Sequence, residues 1–261
     1  MKKKPLVSII MNCHNGEKFL TESIKSLFAQ TYKNWELIFW DNRSSDNSKK
    51  IVKNFKDKRI KYFISNKFQT LFRSRNLAIK KAKGKYVGFL DVDDLWENDK
   101  LKKQIEYFYK NQKIKIIYSN FFTINKTQKK KAIGYKNLLP EGYITQKILN
   151  VYSIGFVTTM LDRSIFKKYK FNEKYNIIGD FDFFIKLSQK YQIGCIQSAL
   201  ASYRRHNSNL SGKKIDLHIK ELKYWLSVNK DKLKRAKFNV NSIYKSLFKL
   251  RIKNYIKFFG V

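Results

Sequence analysis

The sequence predicts an α/β protein built on a mixed, mostly parallel sheet flanked by helices, and three observations lead there. Over about the first hundred residues, short β-branched and aromatic runs alternate with segments whose apolar residues recur at helical spacing. The apolar runs break into polar loops, and one of them, Val87 to Leu95 (V-G-F-L-D-V-D-D-L), breaks into three carboxylates, Asp91, Asp93 and Asp94. From Asp216 onward the pattern is helical only, which adds a C-terminal helical extension.

Taken in order, Leu6 to Met11 (L-V-S-I-I-M) is a first strand, and Asn12-Cys13-His14-Asn15-Gly16 is the polar turn that ends it. Phe19 to Gln30 carries Phe19, Leu20, Ile24, Leu27 and Phe28 on one helical face. Trp35 to Trp40 is a second strand, followed by the polar loop Asp41 to Ser48 and a helix over Ser48 to Phe55. Ile60 to Ile64, Leu71 to Lys83 and Tyr86 to Leu90 continue the strand, helix, strand rhythm. A helix is expected over Leu95 to Lys110, with Asp94 open to a role as its N-cap. Beyond it, Ile114 to Phe122, Ala132 to Tyr135, Gly155 to Leu161 and Ile193 to Tyr203 read as strands. Gly142 to Leu149, Ser164 to Tyr169 and the stretch from Gly179 to about Lys190 read as helices, and the basic run Lys126 to Lys131 as a solvated loop tip. The division expected from this pattern is a domain over residues 1–212 and a basic helical extension over 213–261.

A chain of 261 residues with 43% hydrophobic content can bury a sizeable core. Its 56 Lys and Arg against 20 Asp and Glu give a formal net charge of +36, a surface that attracts polyanions. The joint abundance of Lys, Asn, Ile, Phe and Tyr is also what an AT-rich coding sequence produces, so the residues leave function and composition open as sources of that charge. The basic residues are spread along the chain with no recognised nucleic-acid module, so nucleic acid is not an expected partner. Without G-x-G-x-x-G after the first strand, a dinucleotide site is not expected either, and a nucleotidyltransferase on a similar sheet is the other enzyme reading. Cys13 and Cys195 have no metal-ligand spacing, which points to a reducing compartment. Lys2 to Lys4 before a short apolar run do not make a signal peptide, and no apolar run reaches the ~18 residues of a membrane span. The expected location is cytoplasmic, peripheral on the inner face of the cytoplasmic membrane. The helix over Ser242 to Phe259 suggests how: Lys245, Lys249, Lys253 and Lys257 make a charged stripe, while Tyr244, Leu247, Phe248, Ile252, Tyr255, Ile256 and Phe259 crowd the other side. Such a helix can lie on an anionic membrane surface, or pack on its own domain with the lysines in water.

The strand-end loops carry the chemistry. Ligands of α/β sheets sit beyond the carboxyl ends of strands, where Asp41, Asp91 and Asp93 emerge. Asp91 and Asp93, two apart on an extended segment, can address one object, and hard cations such as Mg²⁺ or Mn²⁺ prefer such oxygens. Asp180 and Asp182 begin a later helix, where they could also simply favour its dipole. Two carboxylates for a metal, one for a sugar or base and one to take a proton suit displacement at an activated phosphate ester.

Four segments resemble the family 2 glycosyltransferases, which have the GT-A fold, a Rossmann-like arrangement for nucleotide-diphospho-sugars. They are V-S-I-I-M-N-C-H-N-G at Val7 to Gly16, D-N-R-S-S-D-N-S at Asp41 to Ser48, F-L-D-V-D-D-L-W at Phe89 to Trp96, and G-D-F-D-F-F at Gly179 to Phe184. Arg75-Asn76-Leu77-Ala78 resembles the family's R-N-x-A, and the likeness runs in order over about the first 210 residues.

The resemblance implies a metal-dependent inverting transfer of one sugar from a nucleotide-sugar, a UDP-sugar first, to a glycan or lipid-linked acceptor in cell-surface polysaccharide synthesis. It implies that Asp41 contacts the base, with Asn12 and Asn15 near the same pocket, and that Arg75 helps hold the donor. Asp91 would approach the ribose and metal, Asp93 would coordinate Mg²⁺ or Mn²⁺, and His206, in Y-R-R-H, would reach the metal or diphosphate. Asp180 would be the general base, with Asp182 the competing candidate because the family's usual Glu before the base is here Gly179. The second strand ends W-D-N where the family often has D-D-G, and Q-x-x-R-W is missing, which favours a single addition over processive synthesis.

Overall fold

The computed structural model describes residues 4–125, 131–206, 209 and 214–259. Its centre is a nine-stranded mixed sheet. The first half is parallel: β3 (Ile60–Ile64), β2 (Trp35–Asp41), β1 (Val7–Cys13) and β4 (Tyr86–Phe89), side by side in that order. Alternate residues of these strands feed opposite faces, Ile10, Ile38 and Phe89 into one apolar cluster and Ile9, Met11, Leu37 and Phe39 into the other. Because both faces of β1, β2 and β4 are covered, these strands read as nearly continuous apolar runs without alternation, whereas β3 at the edge is only partly buried.

The second half is mixed. β8 (Met160–Asp162) lies antiparallel to β4 and to β6 (Ile116–Ile124), and β6 is parallel to β9 (Ile193–Arg204). Two reversals restore direction, so β9 runs the same way as β4 and ends at the same edge of the sheet. β5 (Leu95–Trp96) completes that side by pairing antiparallel with β9, and β7 (Lys131–Ile133) pairs with β6.

The helices are α1 (Glu17–Phe28), α2 (Ser48–Asn54), α3 (Leu71–Ile79), α4 (Lys100–Lys110), α5 (Thr145–Asn150), α6 (Ile165–Lys168), α7 (Gly179–Ser188), α8 (Ile215–Arg235) and α9 (Asn241–Phe259). The apolar side chains of α1 and α4 join one cluster, while Phe72 of α3, Phe183 and Phe184 of α7 and Trp225 of α8 join the other. Ile243 and Leu247 of α9 belong to that second cluster too, so the C-terminal helices share the main core.

Three expectations need correction. The segment expected to open a helix at Leu95 is instead strand β5, captured by Ala201 and Ser202 of a strand about a hundred residues away, and α4 begins at Lys100. Asp94 therefore caps no helix. The stretch Gly155 to Leu161 divides into a 3₁₀ turn, Phe156–Thr158, and β8. There the hydroxyls of Thr158 and Thr159 donate to the carbonyls of Gly155 and Phe156, closing the turn locally before the strand starts. On α9 the apolar residues do not form one face. Ile243 and Leu247 are buried, whereas Tyr244, Phe248, Ile252, Tyr255 and Ile256 are exposed, beside exposed Lys245, Lys249 and Lys253. Residues 126–130 of the basic run, and Asn207 and Ser208, lie outside the described residues.

Candidate active site

The carboxyl ends of β1, β2 and β4 lie side by side, and Asp41 stands opposite Cys13 in the register. Asp41 is buried, and both of its carboxylate oxygens accept: Oδ1 from the Ser44 amide at 2.7 Å and Oδ2 from the Tyr62 hydroxyl at 2.5 Å. Burial, then the bond to Asp41, pushes the Tyr62 phenol well above its ordinary range. Tyr62 was not expected from sequence, because its place opposite β2 is a matter of register.

The loops after β1 and β2 are stitched together. Asn15 has φ 56°, a left-handed conformation that Asn tolerates, and its Oδ1 accepts from the Ser45 amide at 2.8 Å. The amides of Gly16 and Glu17 donate to Ser48 Oγ and Asp46 Oδ2, both at 2.9 Å. Asn15 thus spends its side-chain oxygen on loop shape. Asn12 does the opposite: both polar atoms of its amide are buried with no hydrogen-bond partner among the described residues. Buried amides of this kind are normally satisfied, which sets Asn12 apart from Asn15.

Arg75 connects the next two acids. It is buried on α3, with its guanidinium carbon 4.0 Å from the Phe156 ring centroid and 5.0 Å from that of Phe72. Its Nη2 donates to both oxygens of Asp91, at 2.9 and 3.2 Å. The neighbouring Asn76 staples α3 to the Phe171 segment through paired side-chain to backbone bonds, so of the R-N pair Arg75 reaches the acidic loop and Asn76 holds the helix in place.

The end of β9 closes over the acidic loop. His206 Nε2 lies 2.9 Å from Asp93 Oδ2. Arg204 donates from Nε to the Asp93 carbonyl at 2.8 Å, from its amide to Asp94 Oδ1 at 2.9 Å, and from Nη2 to Glu22 Oε2 at 2.6 Å. Burial, then Asp93 and Asp91, holds the Asp94 carboxyl well above the usual carboxylate range, with Arg204 opposing. Asp93 is raised by burial and by Asp91, with His206 opposing. The third acid of D-V-D-D is thus an internal acceptor that fastens the loop to β9. Arg204, in the same Y-R-R-H segment as His206, carries that junction.

Asp180 lies in the first turn of α7, where the Tyr152 hydroxyl donates to its Oδ2 at 3.3 Å. Burial raises its pKa, and the nearby Arg75 guanidinium and the Tyr152 bond pull it down. Asp182 sits about 200° further round the helix. Its oxygens accept from Trp225 Nε1 at 3.0 Å and from Lys186 Nζ at 2.6 Å, and it is buried. The two acids of G-D-F-D thus face different ways: Asp180 toward Arg75 and Tyr152, Asp182 toward α8.

The fit to a divalent cation follows from these donors. Asp93 and His206 offer an oxygen and a nitrogen side by side, and mutual repulsion between Asp91 and Asp93 is relieved by positive charge. Among the described residues no three His, Cys, Asp or Glu side chains converge into a complete cation cage. A cation that takes one or two protein ligands and completes its shell with substrate phosphate and water does not need one.

The sheet thus carries Asp41, Asp91 and Asp93 at one edge, with Arg75 and the separate carboxylate of Asp180 beside them. The glycosyl transferase family 2 profile matches residues 8–170, and the chain belongs to that family. It is 34% identical over 220 residues to the Escherichia coli UDP-Glc:alpha-D-GlcNAc-diphosphoundecaprenol beta-1,3-glucosyltransferase WfgD, an alignment covering 84% of this chain and 83% of that one. It is also 38% identical over 117 residues to the E. coli enzyme of the same description, WfaP, covering 45% and 46%. Among solved structures, S. aureus TarS 1-349 in complex with UDP superposes with TM-score 0.66 at 19% identity, over 83% of this chain and 65% of that one. The mannosyltransferase PcManGT from Pyrobaculum calidifontis, in complex with GDP-Man and Mn²⁺, superposes with TM-score 0.64 at 12% identity, over 88% and 65%. Both structures extend well beyond the length that this chain spans. The fold is therefore GT-A, and the protein is a glycosyltransferase.

Proposed function

We propose that this glycosyltransferase transfers one sugar, with inversion, from a UDP-sugar to a lipid-linked glycan acceptor. The observation that carries the reading is the position of Arg75, bonded to Asp91 on the donor side and adjacent to Asp180 on the other. The acceptor hydroxyl oxygen forms a bond to the anomeric carbon as the bond from that carbon to the donor phosphate oxygen breaks. The electron pair leaves with UDP, and the hydroxyl proton passes to Asp180. Arg75 opposes the effect of burial on Asp180 and so favours the ionised form that the task needs. Asn12 and Asp41 face the nucleotide end, and Asp91 the ribose. Asp93 and His206 would hold Mg²⁺ or Mn²⁺, which supplies positive charge against the diphosphate as it departs. UDP as the nucleotide is supported by the names of WfgD and of the TarS complex, and a lipid-linked acceptor by the name of WfgD.

The test is transfer from UDP-glucose to an N-acetylglucosamine diphosphate lipid, with product configuration read by NMR. A β-linked product, lost on chelation and in Asp93→Ala, is expected; undiminished turnover by Asp93→Ala in chelator overturns the metal-dependent mechanism.

We also propose that α9 seats the enzyme on an anionic bilayer, where such an acceptor resides. Among the described residues no helix is long and apolar enough to cross a membrane. What supports a surface seat is the exposed row Tyr244, Phe248, Ile252, Tyr255 and Ile256, on the side of α9 away from buried Ile243 and Leu247 and bordered by lysines.

A further inference from the structure

We infer that α8 is the positioning element for Asp180, acting through Glu221 and Trp225. The inference rests on Asp180 being the base. Asp180 occupies the first turn of a helix whose own N-cap, Ile178, offers no side-chain hydrogen bond. A local capping side chain serves the amides within the first turn, so the amides just before it need another acceptor. Here a carboxylate from another helix meets them. Glu221, buried on α8, accepts from the Asn176 amide through Oε1 at 2.7 Å, and from the Ile177 and Ile178 amides through Oε2 at 2.9 and 3.1 Å.

One turn along the same face of α8, Trp225 donates from Nε1 to Asp182 Oδ1 and packs its ring 4.8 Å from that of Phe181. Glu221 fixes where α7 begins, and Trp225 fixes its rotation. Rotation matters because Asp180 and Asp182 project to opposite sides: with Asp182 held against α8, Asp180 is turned toward Arg75 and Tyr152. A third contact sets the distance to α3. A Cβ on Gly179 would come within 2.4 Å of the Phe72 ring, so α7 lies directly against the helix that carries Arg75. Glu221, Trp225, Gly179 and Phe72 all lie on helices and not on the strand-end loops. Their effect falls on the step in which the proton moves, where small misplacements are expensive.

The groups facing Asp180 are Arg75 from α3 and Tyr152 from the segment after α5. A displaced Asp180 loses the company of Arg75, so its ionisation moves to higher pH. The experiment measures UDP release from UDP-glucose with the N-acetylglucosamine diphosphate lipid, normalised to UDP-binding sites, for Glu221→Gln, Trp225→Phe and Asp180→Asn in the full chain. Glu221→Gln sets an amide N–H against backbone N–H donors. Its kcat per UDP site is expected to fall between about 10-fold and 100-fold, with the UDP-glucose KM and UDP Kd within about twofold and the acid limb of kcat shifted to higher pH. Trp225→Phe keeps a ring on Phe181 but removes the N–H, and is expected to show the same split at about 3-fold to 10-fold. It decides the matter if Glu221→Gln does not fold. Wild-type kcat and an unmoved limb in folded variants, with Asp180→Asn inactive, overturn the positioning role alone. An active Asp180→Asn overturns the base assignment as well.

Discussion

Arg75 reaches both oxygens of Asp91 with a single nitrogen while its guanidinium plane lies against Phe156. This geometry suits Arg and not Lys, whose ammonium is a compact, strongly hydrated charge that does not stack. Arg75→Lys is therefore expected to raise the donor KM and lower kcat/KM by about 10-fold to 100-fold. Arg75→Met should also move the acid limb of kcat upward, because the group that offsets the burial of Asp180 is gone. Steady-state kinetics across pH measure both, and an unshifted limb in Arg75→Met would separate Arg75 from Asp180.

Asp180 and Asp182 are told apart by their partners. Asp180→Asn removes the proton acceptor and should lower kcat by about 10²-fold to 10⁴-fold. Asp182→Asn can still accept from Trp225 but weakens the link to Lys186, so its effect should fall mainly on melting temperature, with kcat reduced less than about 10-fold. Equal losses of kcat in the two variants would contradict the assignment.

Lys100 gives a pH signature independent of catalysis. It is fully buried on α4, bonded to Gln104 Oε1 and lying over the Trp96 ring, and burial lowers its pKa well below the ordinary lysine value. The unfolded chain then binds a proton that the folded chain does not, so this residue makes stability rise with pH from the lowered folded value up to the ordinary lysine value near 10.4. Urea midpoints between neutral pH and pH 9 should climb in the wild type and climb less in Lys100→Met.

The Phe72 ring leaves no room for a side chain at Gly179. Gly179→Ala should cost about 1–3 kcal/mol through overpacking against a buried ring. Thermal melts of Gly179→Ala and of Gly179→Ala with Phe72→Ala measure it, and the double variant should show less than the sum of the two single losses if the contact is the cause.

On α9, Phe248→Glu with Ile252→Glu should abolish flotation with phosphatidylglycerol vesicles without lowering the melting temperature, because both side chains are exposed. Flotation that persists in this variant would remove the membrane seat. Ile243→Asp is the contrasting case, a core substitution expected to unfold the C-terminal half.

In the parallel half, β1, β2 and β4 were legible because each is buried on both faces and ends in a polar loop. Leu95 and Trp96 were misread because their strand character comes from Ala201 and Ser202, which no local window contains. In the site, Asp41, Asp91, Asp93 and Asp180 were conspicuous as acids in a basic chain. Tyr62, Tyr152 and Arg204, which shape their environment, carry no such contrast against the background of 16 Tyr and 56 Lys and Arg. Asp94 looked like a cap because it precedes an apolar run, and only the return of β9 reveals it as the acceptor of the Arg204 amide. The alternation at Asp180 and Asp182 was visible, but which side faces the site depends on Trp225, more than forty positions downstream.

The carboxylate of Glu221, seated on the backbone of Asn176 to Ile178, also bears on how such chains can be recombined. A chimera that exchanges everything after β9 for the tail of another glycosyltransferase would carry every acid of the sugar-transfer site intact and still lose the residue that sets the stance of one of them. Tail swapping therefore has a natural unit larger than the tail, one in which residues 176–182 travel with α8.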